Sequence, residues 1–130
     1  MIPSKRILLV DDEEEILRAT ELWLSFAGFE TSTACDGRDA ISSATKDQPD
    51  AIVMDVRMPH LDGLTALSEL QHQEETRHIP IVMLSASLVD KEQALDAGAT
   101  YFLTKPYQGR ELVEAVNAAV NRPAVLGVGQ

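Results

Sequence analysis

The chain has a single cysteine, Cys35, which excludes an internal disulfide and favours a reducing, cytosolic setting. No apolar run approaches the ~20 residues that a membrane-spanning helix needs. The opening "MIPSKRILLV" carries an apolar run too short for the core of a secretory signal, so it reads as a first strand. Basic residues are scarce. Eleven Lys and Arg stand against 21 Asp and Glu, a net charge of −10, which argues against a uniformly basic nucleic-acid footprint. His60, His72 and His78 lack the spacing with Cys35 that a structural metal site requires. Internal repeats and low-complexity tracts are absent.

What is present suits one globular domain. The chain has 130 residues, of which 45% are hydrophobic and 25% charged. Five short apolar runs recur: "RILLV" (6–10), "FETSTA" (29–34), "AIVM" (51–54), "IPIVML" (79–84) and "YFL" (101–103). Their length and their Val and Ile content predict strands, the second being polar enough for an edge. The intervening segments have helical spacing. Ile16, Leu17, Ala19, Trp23, Leu24 and Ala27 make one apolar face, stopped by Gly28. Ala40, Ile41 and Ala44 make a second, and Leu64, Leu67 and Leu70 a third behind an Asp62 N-cap. Leu88, Ala94, Leu95 and Ala97 precede Gly98, and Leu112, Val113, Val116, Ala119 and Val120 precede Pro123. Five strand–helix alternations predict an α/β fold with a parallel sheet and helices on both faces. Met54, Met58 and Met83 read as packing residues, and Trp23 as a partly buried helix residue. Residues 1–122 form the predicted domain, and 123–130, "PAVLGVGQ", read as a tail or the start of a linker.

Ligands of open parallel sheets bind beyond the carboxyl ends of the strands, so the residues there carry the functional argument. Asp11, Asp12 and Glu13 follow the first run, Asp55 the third, Ser85 and Ala86 the fourth, and Thr104, Lys105 and Pro106 the fifth. Singly, each is an ordinary cap, turn or surface residue. Jointly, they bring carboxylates, a hydroxyl and an ammonium to one edge. Clustered carboxylates repel one another unless a cation sits among them, and Mg²⁺ favours such oxygen ligands. Asp12, Asp55 and a carbonyl from the loop after Asp55 can supply part of its shell, while Asp11 holds waters. A phosphoryl group fits beside them, neutralised by the cation and Lys105 and bonded by Ser85. Asp55 is then placed to attack phosphorus and form an aspartyl phosphate.

With these residues assembled, the sequence resembles a response-regulator receiver domain of two-component signalling. The resemblance spans about residues 5 to 121 and rests on "LLVDDE", "IVMDVRMPHLDG", "IVMLSA" and "DAGATYFLTKP". It implies a flavodoxin-like sheet of order 2-1-3-4-5. It also implies that Asp55 accepts a phosphoryl group from a histidine kinase or a phosphotransfer domain. Asp11, Asp12, Asp55 and the Arg57 backbone carbonyl would hold Mg²⁺, and Ser85 and Lys105 would bind the phosphoryl oxygens. A cis peptide is expected at Lys105-Pro106. The family's aromatic switch position is Phe102, where many members carry Tyr; Phe102 has no hydroxyl, and its ring is expected to lie inward already in the unphosphorylated chain. Arg57 and Ser87 occupy places that influence phosphoryl lifetime in the family.

The implied function is a phosphorylation-dependent switch that controls a downstream protein partner or output domain. It would promote its own phosphorylation and dephosphorylation without being a metabolic enzyme. The expected setting is cytoplasmic, without nucleic acid or membrane contact by this domain, as a monomer or a phosphorylation-dependent dimer. A docking module that never takes phosphate is the first alternative, and the intact acidic set with Ser85 and Lys105 argues against it. A phosphohydrolase resembling the haloacid dehalogenase group is the second. Such enzymes place another Asp two residues after the nucleophile, where this chain has Arg57.

Overall fold

In the computed structural model, which describes residues 4–122, every predicted run forms its strand and every predicted periodic segment its helix. The strands are β1 (Arg6–Val10), β2 (Glu30–Ala34), β3 (Ala51–Asp55), β4 (Ile81–Ser85) and β5 (Tyr101–Thr104). The helices are α1 (Glu14–Phe26), α2 (Gly37–Asp47), α3 (Gly63–His72), α4 (Leu88–Asp96) and α5 (Gly109–Val120). All strand pairings are parallel, in the order β2-β1-β3-β4-β5. The tail at 123–130 lies outside the described residues.

Strand alternation sorts the core into two layers. Leu8, Val10, Ile52, Met54, Ile81 and Met83 point to one face, against Ala44 of α2, Leu67 and Leu70 of α3 and Ala94 of α4. Ile7, Leu9, Val53, Val82 and Leu84 point to the other, against Leu24 of α1 and Leu112 and Val116 of α5. β3 and β4 are buried along their whole length, which explains their unbroken apolar sequences. Each buried Leu or Ile there contributes about 1.5–3 kcal/mol.

Some boundaries differ from the sequence reading. β4 begins at Ile81, because Pro80 has no N–H to donate to a ladder; its carbonyl accepts from Ile52 N at 2.9 Å. Asp55 and Ser85 close their strands from within, since Val56 N still reaches Leu84 O and Lys105 N reaches Ser85 O.

Two helix faces also need correction. In α1 only Leu24 and Thr20 are buried, and Ala19, Trp23 and Ala27 are exposed. Thr20 is tolerated inside because its hydroxyl donates to Ile16 O at 2.8 Å. In α4, Leu88 and Leu95 face solvent, while Asp90 and Ala94 turn inward. Ser85 and Arg57, which bond the Asp90 carboxylate, decide that orientation.

Candidate functional site

The carboxyl ends of β1, β3, β4 and β5 converge, and each brings its residue by a local device. Asp11 follows β1, with its amide donating to Ala34 O at 3.2 Å and its Oδ1 accepting from Glu13 N at 2.9 Å. That turn serves the start of α1, whose N-cap Glu13 makes no side-chain cap of its own. Asp55 ends β3, and the loop after it folds back tightly. Gly63 N donates to Val56 O at 2.8 Å, and a Cβ on Gly63 would collide with the Asp55 carbonyl. The Asp62-Gly63 pair is thereby explained. Asp62 caps α3 by accepting from Thr65 N at 2.8 Å, and Gly63 lets the helix start lie against the strand end. The Lys105-Pro106 peptide is cis, as expected.

Asp11, Asp12 and Asp55 come together, each offering an oxygen within 4.8 Å of the other two. Among the described residues this is the one such cluster of potential metal ligands. Asp12 is exposed, whereas Asp11 and Asp55 are buried. Burial, reinforced by the charge of Asp55, raises the Asp11 pKa to about 6 even though the Glu13 amide opposes the shift. Asp11 Oδ2 is buried with no hydrogen-bond partner. An orphaned carboxylate oxygen facing two other acids fits a bound cation and its waters.

Asp55 is held on both oxygens. Oδ2 accepts from Lys105 Nζ at 2.8 Å, and Oδ1 from Arg57 N at 3.3 Å. Burial disfavours the Lys105 ammonium, but its bond to Asp55 and the nearby acid charges outweigh that and raise its pKa. Ser85 is buried at the end of β4, yet its hydroxyl does not reach Asp55. It donates to Asp90 Oδ2 at 2.7 Å. Phe102 is half-buried against the core layer that contains Met83 and Ala94. Tyr101, beside it, faces outward. His60, His72 and His78 are all exposed and apart from the cluster.

Sequence reasoning missed Asp90. Its signal was a capping pattern, Ser87-x-x-Asp90, and Ser87 does cap α4 by accepting from Asp90 N at 3.3 Å. The Asp90 carboxylate goes elsewhere. It takes Ser85 Oγ and a two-pronged ion pair from Arg57, with Nε at 2.9 Å and Nη2 at 3.1 Å.

A five-stranded parallel sheet, wound on both faces and carrying an acidic cleft with a lysine at its strand ends, defines a flavodoxin-like signalling fold. The chain belongs to the response regulator receiver domain family, whose model matches residues 7–117. The transcriptional regulatory protein PrrA of Mycobacterium bovis is 42% identical over 123 residues, covering 93% of this chain and 52% of the relative. The response regulator PleD of Caulobacter vibrioides is 46% identical over 105 residues, covering 79% of this chain and 23% of PleD. The chain thus spans about half the length of PrrA and less of PleD. A crystal structure of a putative response regulator from Chloroflexus aurantiacus superposes with a TM-score of 0.88 at 33% identity, covering 92% of this chain and all of that one. The receiver domain of a Pseudomonas aeruginosa sensor histidine kinase, solved with magnesium coordinated in its active-site cleft, gives 0.85 at 34% identity, with 92% and 100% covered. The family is one of phospho-signalling switches rather than metabolic enzymes. No helix among the described residues is long and apolar enough to cross a membrane.

Proposed function

We propose that this chain is a Mg²⁺-dependent phosphoacceptor switch in which Asp55 takes a phosphoryl group from a histidine kinase or a phosphotransfer domain. The observation that carries the reading is the buried Asp55 carboxylate, held by Lys105 at 2.8 Å beside the orphaned oxygen of Asp11. Asp11, Asp12, Asp55 and the Arg57 carbonyl are the groups that would hold Mg²⁺. The cation supplies neutralisation of phosphoryl oxygen charge.

The protein's own groups do the rest. Lys105 and the Arg57 amide orient the carboxylate, so that one oxygen faces an incoming phosphorus atom. With a small donor such as acetyl phosphate, the new bond joins an Asp55 oxygen to phosphorus. The bond from phosphorus to the acetyl oxygen breaks, and acetate leaves with the electron pair. Lys105 then pairs with the added charge. The resulting state acts on a downstream protein partner or an output domain. Relatives that carry more chain include transcriptional regulators, so nucleic-acid binding belongs to other domains of such proteins. The cytosol is the setting that supplies kinase and Mg²⁺.

Incubation with acetyl phosphate and Mg²⁺, followed by intact-mass measurement, tests the reading. The parent is expected to gain one phosphate and Asp55→Asn none. Equal gain in both would remove Asp55 from the role.

A further inference from the structure

The Ser85 hydroxyl is committed on both sides. Its one proton goes to Asp90 Oδ2 at 2.7 Å, and its oxygen accepts from Ser87 N at 3.1 Å. A hydroxyl has a single proton to donate, so Ser85 cannot serve a phosphoryl oxygen on Asp55 while it serves Asp90. Asp90 is 4% exposed, and its carboxylate pairs with Arg57 at 2.9 Å. The Arg57 side chain is 73% exposed and follows Asp55 by two residues. The network therefore ties together the end of β4, the first turn of α4 and the loop that leaves the phosphoacceptor.

We propose that Asp90, braced by Arg57, latches the Ser85 hydroxyl out of the phosphoryl site, so that phosphorylation of Asp55 must win Ser85 from Asp90. This rests on Asp55 being the phosphoacceptor. Two features make the arrangement releasable. Asp90 retains the paired guanidinium when Ser85 leaves, so the buried carboxylate is not stranded. The competing acceptor on Asp55 carries up to two negative charges, which a hydroxyl donor favours over one. Asp90 is thus a positioning residue, acting on the phosphoryl site through Ser85.

The Ser87 amide reports the latch, because its acceptor is the Ser85 oxygen. The experiment compares the parent, Asp90→Asn, Ser85→Ala and the double variant. It reads the initial rate of phosphate gain from acetyl phosphate with Mg²⁺ and the Ser87 amide NMR shift before phosphate is added. Asp90→Asn is expected to react roughly ten-fold faster, the scale of one hydrogen bond to a charged group. Its Ser87 amide should already sit toward the position found in the phosphorylated parent. In the Ser85→Ala background the same change should have no effect on rate, which a merely structural role of Asp90 would not reproduce. If Asp90→Asn fails to fold, Arg57→Gln leaves Ser85 as the side-chain partner of the buried carboxylate, tightens the latch and should shift rate and amide in the opposite direction. A parent that takes phosphate while Asp90→Asn reacts at the parental rate overturns the latch and leaves Asp55 as acceptor. Acceleration that persists in the Ser85→Ala background overturns it too. A parent that takes no phosphate overturns both readings.

Discussion

Lys105 Nζ lies 2.8 Å from Asp55 Oδ2, joining the loop after β5 to the last residue of β3 across the intervening strand β4. The Lys105 side chain is 28% exposed and that of Asp55 only 6%. The buried partner therefore depends on the ammonium more than the reverse, and removing Lys105 leaves Asp55 facing Asp11 and Asp12 without a counter-charge. Lys105→Ala is expected to fold, since its side chain is partly in solvent, but to lose on the order of 1–2 kcal/mol of stability without Mg²⁺. The larger consequence is for signalling. Amide shifts of residues 85–107 that respond to phosphorylation in the parent should respond much less in the variant. Equal responses would show that another group reads the new charge.

Asp11 gives a pH dependence. Its carboxyl is raised in the folded chain to about 6, from 3.8 in the unfolded chain. Between those values the folded state binds more protons, so stability falls as pH rises through the window. The protonated form's contribution is fully present below 3.8 and is gone above about 6. Asp11→Asn mimics that form at every pH. Without divalent cations it should be more stable than the parent at pH 7, by on the order of 1–2 kcal/mol, and equal to it near pH 4. Mg²⁺ should reverse the order at pH 7, because it stabilises only a chain that binds it. Urea unfolding at both pH values, with and without Mg²⁺, measures this. A variant less stable than the parent in the metal-free buffer would contradict the assignment.

The strand ends were legible in the sequence, and the Asp90 latch was not. Asp11, Asp55, Ser85 and Lys105 follow or end apolar runs, and a parallel sheet places all such ends on one edge. Asp90 sits in a helix whose periodicity pointed Leu88, Ala94 and Leu95 inward; of these the fold buries Ala94, and it buries Asp90 beside it. The reason is tertiary. Arg57 and Ser85 arrive from two other elements and satisfy a carboxylate that local pattern would place in water. Trp23 shows the same limit, since it remains 52% exposed while its ring covers Gly109 at the start of α5.

Gly63 and Gly109 both meet a neighbour if a Cβ is added, but the neighbours differ. At Gly63 the obstacle is the Asp55 backbone, and at Gly109 it is the exposed Trp23 ring. A β-strand backbone cannot yield, whereas an indole on a helix surface can rotate. Gly63→Ala is expected to cost about 3 kcal/mol or more and to disturb phosphate acceptance by displacing Asp55. Gly109→Ala should cost about 1 kcal/mol or less, since a better helix former offsets the lost contact. It should also shift Trp23 fluorescence to the red. Equal stability losses in the two variants would mean that the loop after β3 is more pliant than its packing indicates.

His60 offers a case in which a stability change should leave chemistry untouched. It lies in the loop between β3 and α3 with φ at 67°, in the left-handed region that a Cβ disfavours. It is exposed and contributes neither to the acidic cluster nor to the Arg57–Asp90 pair. Glycine adopts that φ freely but also gains freedom in the unfolded chain, so the two effects oppose each other. Relief of strain at a non-glycine residue in this region is worth roughly 1–2 kcal/mol, and the entropy gained by unfolded glycine takes back about 0.5–1 kcal/mol. His60→Gly should therefore raise stability by a net ~0.5–1 kcal/mol, read as a higher urea midpoint at unchanged slope. Its rate of phosphate gain should equal that of the parent, because the Asp55 carboxylate keeps Lys105 and the Arg57 amide. A lower midpoint would mean that the imidazole makes an interaction that outweighs its backbone strain.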